Sequence, residues 1–180
     1  MRLFLGFVPA AERELYGVSE RLTSTEKLPL NWVPHENWHV TLAFLGEVPA
    51  RSLARLDQVL APVAAESAPL TLRFNALEWF PSPLKPRLLT LQVDASDALV
   101  RLQARVAAGL RREGFHTENR AYRPHLTLAR LKGSRTRFNP PALPPINPFE
   151  CTGREFLLFE SVRSGHAPSY RPIQHFELAA

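Results

Sequence analysis

Residues 37–48 read NWHVTLAFLGEV, and residues 123–131 read RPHLTLARL. Both hold the pattern His, apolar, Thr, apolar, as His39-Val40-Thr41-Leu42 and as His125-Leu126-Thr127-Leu128. With 6 His and 9 Thr in 180 residues, chance supplies two such copies on the order of 0.002 times. Both runs are β-rich and read as strands. Side chains at i and i+2 on a strand share a face. His39 therefore lies beside Thr41 and His125 beside Thr127, while Val40, Leu42, Leu126 and Leu128 face a core. If the two strands approach, two imidazoles and two hydroxyls meet across a groove.

Outward from these strands the pattern alternates. Strands are predicted at 2–8, 38–45, 70–80, 87–93, 124–131, 154–162 and 170–178, with Gly46 as the stop of the second. Leu15, Val18 and Leu22 recur at helical spacing within 10–23, and Leu53, Leu56, Val59, Leu60 and Val63 within 52–65. A third helix spans 94–112, capped by Asp94 or Ser96 and stopped by Gly114. Residues 24–37 and the proline-rich 138–149 read as loops. The order predicts an α+β fold of antiparallel sheet flanked by helices. In each half a helix precedes a His-x-Thr strand, a weak internal echo that two related lobes would explain. Length predicts one domain over 1–180.

Composition narrows the class. The chain is 45% hydrophobic and 22% charged, which excludes a disordered protein. Cys151 is the only cysteine, which excludes a disulfide scaffold and a Cys-based zinc site and fits a reducing cytoplasm. No apolar run reaches the ~18–20 residues of a membrane span. The apolar stretch after Arg2 is too short for a signal peptide and meets Glu12, Arg13 and Glu14 at once. A cytoplasmic protein is expected. The net charge is +5, and of 22 basic residues all but Lys27, Lys85 and Lys132 are arginine. Arginine grips phosphate as a planar fork, so an anionic partner such as nucleic acid is one reading; compositional bias is the other.

The quartet suits phosphodiester chemistry. One neutral imidazole can take a proton from water and one protonated imidazole can give a proton to a leaving oxygen. Threonine hydroxyls can donate to non-bridging oxygens as charge builds. No metal or cofactor is required. The competing readings are ordinary strand histidines and a zinc site; the latter needs a third ligand, and none sits at close spacing.

RLFLGFVP at 2–9, NWHVTLAFLGEV at 37–48, YRPHLTLAR at 122–130 and the ending FLLFESVRSGHAPSYRPIQHFEL at 156–178 carry a family resemblance. The chain resembles the two-histidine (2H) phosphoesterases, in the branch of RNA 2′,3′-cyclic phosphodiesterases historically called 2′-5′ RNA ligases. The resemblance implies a bilobal fold, two pseudo-symmetric lobes around a central groove. It implies hydrolysis of a terminal 2′,3′-cyclic phosphate to a 2′-phosphate. His39 would be the proton donor to the departing 3′ oxygen and His125 the proton acceptor that activates water. Thr41 and Thr127 would hold the phosphate, and Arg130 would contact phosphate or nucleotide. Strict alternation places Arg130 on the face opposite His125, so that role requires a bend. Phe7 is suggested as a nucleobase-stacking residue, with core packing as the alternative.

Expected partners are RNA ends bearing 2′,3′-cyclic phosphate or small cyclic nucleotides, with no membrane and a monomeric chain. Other 2H substrates, 2′-5′ joints among them, and a non-catalytic RNA-binding protein are the alternatives. Arg120, Arg123, Arg130, Lys132, Arg135 and Arg137 crowd around the second motif with Glu118 as the only nearby acid, a place for a phosphate backbone. Trp38, Tyr122 and Tyr170 are candidates for base stacking or for burial. His35, His116, His166 and His175 are assigned no role, and Arg101, Arg105 and Arg112 read as a solvated helix face.

Overall fold

The computed structural model describes residues 1–25, 28–132, 138–164 and 167–179. Nine strands form one sheet: β1 (Arg2–Phe7), β2 (Leu30–Trp32), β3 (Val40–Glu47), β4 (Leu70–Phe80), β5 (Leu88–Val93), β6 (His125–Leu131), β7 (Phe149–Gly153), β8 (Glu155–Ser164) and β9 (Ala167–Glu177). Among the described residues three α-helices accompany them: α1 (Glu12–Thr25), α2 (Leu53–Ala65) and α3 (Asp97–Arg112). The strand order is β7-β4-β5-β6-β3-β1-β8-β9, with β2 on the β3 side of β6. Pairing is antiparallel throughout. This is the expected α+β class.

The two halves of the sheet meet narrowly. β3 and β6 share the single pair Val40↔Leu126, each the residue after its motif histidine. Beyond it the strands part, and β2 takes over the outer edge of β6 at Ala129–Leu131. The helices hold the halves to one core. Leu15 and Val18 of α1, Leu56 and Leu60 of α2, and Leu99 and Val106 of α3 share a buried cluster with Leu42, Leu91, Leu126 and Leu128. The Ser96 hydroxyl accepts from the Leu99 N–H and caps α3. Phe115 N–H and Gly114 N–H donate to the Leu110 and Arg111 carbonyls and close its C-terminus as a Schellman turn.

The structure adds two strands where loops were predicted. β2 occupies Leu30–Trp32, three residues between prolines, and pairs with β6. β7 begins at Phe149, inside the predicted proline-rich loop, and pairs with β4. Gly46 does not stop β3. It lies within the strand at φ +70, where the β1–β3 register shifts. No helix among the described residues is long and apolar enough to cross a membrane.

Candidate active site

Extending the Val40↔Leu126 pair by one residue each way sets His39 opposite Thr127 and Thr41 opposite His125. Opposed residues of an antiparallel pair point to one face, so all four side chains share it. Their strand neighbours Val40, Leu42, Leu126 and Leu128 are buried on the other face, within the core. The local two-fold relation of the motifs continues past the threonines. On β3 the partners of Thr41 and Ala43 are Gly6 and Leu5, which leaves Leu42 unpaired; on β6 the partners of Thr127 and Ala129 are Thr90 and Leu89, which leaves Leu128 unpaired. Each motif thus places a β-bulge at its fourth residue.

The bulges decide what else reaches the site. On β5, Gln92, Thr90 and Leu88 alternate on one face and pair with His125, Thr127 and Arg130. Arg130 is therefore on the histidine face. The bend that strict alternation lacked is the bulge at Leu128. On β1, Gly6 and Phe4 share a face and pair with Thr41 and Phe44, so Phe44 stands five residues after His39 as Arg130 stands five after His125. Phe44 is 45% exposed. The sequence reading missed it, and its signal was that shared spacing.

Phe7 is corrected. It is 1% exposed, edge-on to Phe156 at 6.3 Å and beneath Gly153, with no free face for a base. Alternation puts Phe4, not Phe7, on the histidine face. Trp38 is buried. Tyr122 is half-buried and donates its hydroxyl to the Thr41 carbonyl at 3.0 Å, and burial raises its pKa.

Both imidazoles are anchored alike. His39 Nδ1 bonds the Asn37 carbonyl at 2.7 Å, and His125 Nδ1 bonds the Arg123 carbonyl at 2.8 Å. A carbonyl only accepts, so each Nδ1 carries the proton and each neutral ring keeps its lone pair on Nε2. The surroundings differ. His39 packs against Phe4 at 4.7 Å and meets the Tyr170 ring edge-on at 5.1 Å. Burial lowers its pKa to about 4, against the raising effect of the Asn37 bond and with help from the charges of His125 and Arg130. His125 stacks on Phe80 at 4.4 Å. Burial also lowers its pKa, while the Arg123 carbonyl and the Glu78 carboxylate work in the opposite direction.

One cation of the cluster around the second motif is paired with an acid. Arg123 is paired to Glu78 at 2.5 Å, an acid from β4 distant in sequence. Arg120, Arg130 and Lys132 are exposed; Arg135 and Arg137, like His166, lie outside the described residues. Arg105 on α3 bonds Glu66 and Ser67 at the end of α2, and Arg101 pairs with Asp97.

The chain has relatives of known family and fold. Residues 11–164 match the family model of the 2′-5′ RNA ligase superfamily. An RNA 2′,3′-cyclic phosphodiesterase of Bacillus subtilis is 32% identical over 150 residues, 82% of this chain and 80% of that protein. One of Archaeoglobus fulgidus is 32% identical over 151 residues, 81% of this chain and 82% of that protein. The crystal structure of TT0787 of Thermus thermophilus superposes with a TM-score of 0.84 at 26% identity, covering 99% of this chain and 98% of the other. E. coli LigT complexed with 3′-AMP shares the fold, with a TM-score of 0.81 at 23% identity and the same coverage. A histidine–threonine pair on each of two strands, bulged alike and on one face of the sheet, thus sits in a chain that belongs to the RNA 2′,3′-cyclic phosphodiesterase family of the 2′-5′ RNA ligase superfamily.

Proposed function

We propose that this protein hydrolyses the terminal 2′,3′-cyclic phosphate of RNA to a 2′-phosphomonoester, without a metal. The observation that carries the reading is the pair of His-x-Thr motifs across Val40↔Leu126, each imidazole anchored at Nδ1 so that the neutral ring carries its lone pair on Nε2. An in-line displacement needs a base on one side of phosphorus and an acid on the other. Nε2 of His125 takes the proton of the attacking water. Nε2 of His39 gives a proton to the departing O3′. Burial favours the neutral form of both rings at pH 7. The charge of the bound phosphodiester opposes the burial effect, so His39 takes up its proton as substrate enters. Thr41, Thr127 and Arg130 surround the non-bridging oxygens, and Phe44 offers an exposed ring to the terminal base.

The test is incubation of an oligonucleotide ending in a 2′,3′-cyclic phosphate with wild type, His39→Ala and His125→Ala, each with and without EDTA. Turnover by wild type alone, indifferent to EDTA, is expected. Equal turnover by either variant contradicts the mechanism. An intact cyclic end with tight RNA binding favours the non-catalytic RNA-binding alternative, and profiling of 2′-5′-linked and other cyclic substrates separates the remaining 2H activities.

A further inference from the structure

One arrangement is used twice around the imidazoles. The residue two positions before each motif histidine holds the ring through its main-chain carbonyl: Asn37 for His39, Arg123 for His125. The same residue reaches outward with its side chain. Asn37 Nδ2 donates to the Pro168 carbonyl at 2.9 Å, and its Oδ1 accepts from the Tyr170 N–H at 3.2 Å, so both ends of the amide are taken by β9. Arg123 Nη1 donates to the Pro81 carbonyl at 3.0 Å, at the end of β4, and Nη2 to Glu78 at 2.5 Å. The strand gripped in each case carries the ring that meets the histidine, Tyr170 in one half and Phe80 in the other.

We propose that Asn37 and Arg123 are the positioning residues of the site, each locking its imidazole between a main-chain acceptor and an aromatic ring by clamping the outer strand. They touch no reacting atom. Their effect passes through the histidines. A ring whose Nδ1–H bond slackens can carry its proton on Nε2 instead, and the lone pair the base requires is then lost. The two clamps differ in kind. Asn37 is 7% exposed and uncharged, with both its amide nitrogen and its amide oxygen hydrogen-bonded. Arg123 is solvent-exposed, ion-paired, and lies over the Phe80 ring at 4.6 Å. The Asn37 clamp is therefore the more sensitive to substitution.

The inference rests on the two-histidine reading of the site, and its test has one arm that needs no substrate. Asn37→Ala, Asn37→Asp, Arg123→Ala and Arg123→Lys are compared with wild type by imidazole ¹⁵N NMR and by steady-state hydrolysis of a 2′,3′-cyclic nucleotide. In wild type both motif rings are expected as the Nδ1–H tautomer; in the Ala variants the affected ring becomes a tautomer mixture. The expected kinetic effect is a fall in kcat of about 10- to 100-fold with KM within about twofold, since misplacement of a catalytic group by a fraction of an ångström acts on the chemical step. Arg123→Lys should recover part of kcat, because an ammonium can still donate to the Pro81 carbonyl. If burial makes Asn37→Ala fail to fold, Asn37→Asp keeps the size and the Tyr170 acceptor and replaces the donor to Pro168 by a carboxyl oxygen. Folded variants with an unchanged tautomer and kcat within about twofold of wild type overturn the proposal. Should wild type hydrolyse no cyclic phosphate, the functional reading fails, and the tautomer spectra still decide whether the clamps position the rings.

Discussion

The β3 half and the β6 half of the sheet present the same motif against different floors. Around His39 the floor is aromatic: Phe4, Leu157 and Phe159 form a small buried cluster of their own with Tyr170 against it, and Phe44 is exposed beside it. Around His125 the floor is polar: Asn75, Glu78, Gln92, Asp94 and Arg123 line an open cleft with the ring of Phe80. Each imidazole has an aromatic neighbour, Phe4 and Tyr170 for His39 and Phe80 for His125, but only the His125 side adds charged and amide side chains. In the proposed mechanism the aromatic half takes the nucleoside and its leaving oxygen, and the polar cleft takes the attacking water.

The largest expected effect breaks the pair itself. His39→Ala and His125→Ala should each lower kcat by about 10²–10⁴-fold, the usual contribution of one acid or base, with circular dichroism unchanged. Next comes the proton linkage of the aromatic half. His39 has its folded pKa lowered from 6.5 to about 4, so the unfolded chain binds more protons between those values and stability falls as pH drops through that window. At full strength this amounts to on the order of 3 kcal/mol. Urea melts from pH 7 to pH 4 should show that loss in wild type and a smaller one in His39→Gln.

A third way to break the comparison is steric. A Cβ at Gly6 would stand 2.9 Å from the Val40 carbonyl and 3.5 Å from the His39 ring. Gly6→Ala should cost about 1–3 kcal/mol by overpacking and depress kcat, read by Tm and by turnover together. The smallest effect sharpens the contrast. Phe44→Ala should leave Tm in place and weaken binding of cyclic-phosphate RNA by about 1–3 kcal/mol, the scale of one base–aromatic stack, read as a rise in KM.

Much of this was legible in the sequence because spacing on a strand is a strong constraint. The i, i+2 rule places His39 with Thr41 and His125 with Thr127 without further information, and the structure sets the pairs on one face. The rule fails one residue later, at Leu42 and Leu128, where each strand bulges. A bulge arises from the pairing of two strands, and nothing in LTLAR announces it. Hence Arg130 appears on the wrong face by counting and Phe44 escapes notice. Phe7 fails for the opposite reason. It lies in a strand that is apolar from Leu3 onward, where Phe4 and Phe7 are equivalent until the facing of β1 is known. β2 is invisible because three residues between prolines carry no periodicity, and the Arg123–Glu78 pair because its partners meet only through β4–β5–β6 adjacency.

The division of labour between the halves is tested most directly by the product. An oligonucleotide bearing a 2′,3′-cyclic phosphate is digested to completion, and the phosphomonoester is located by its susceptibility to enzymes that distinguish a 2′- from a 3′-phosphate. With the proton delivered to O3′ from the His39 side, the account predicts a 2′-phosphate only. A 3′-phosphate, a mixture of the two, or an intact cyclic end contradicts it.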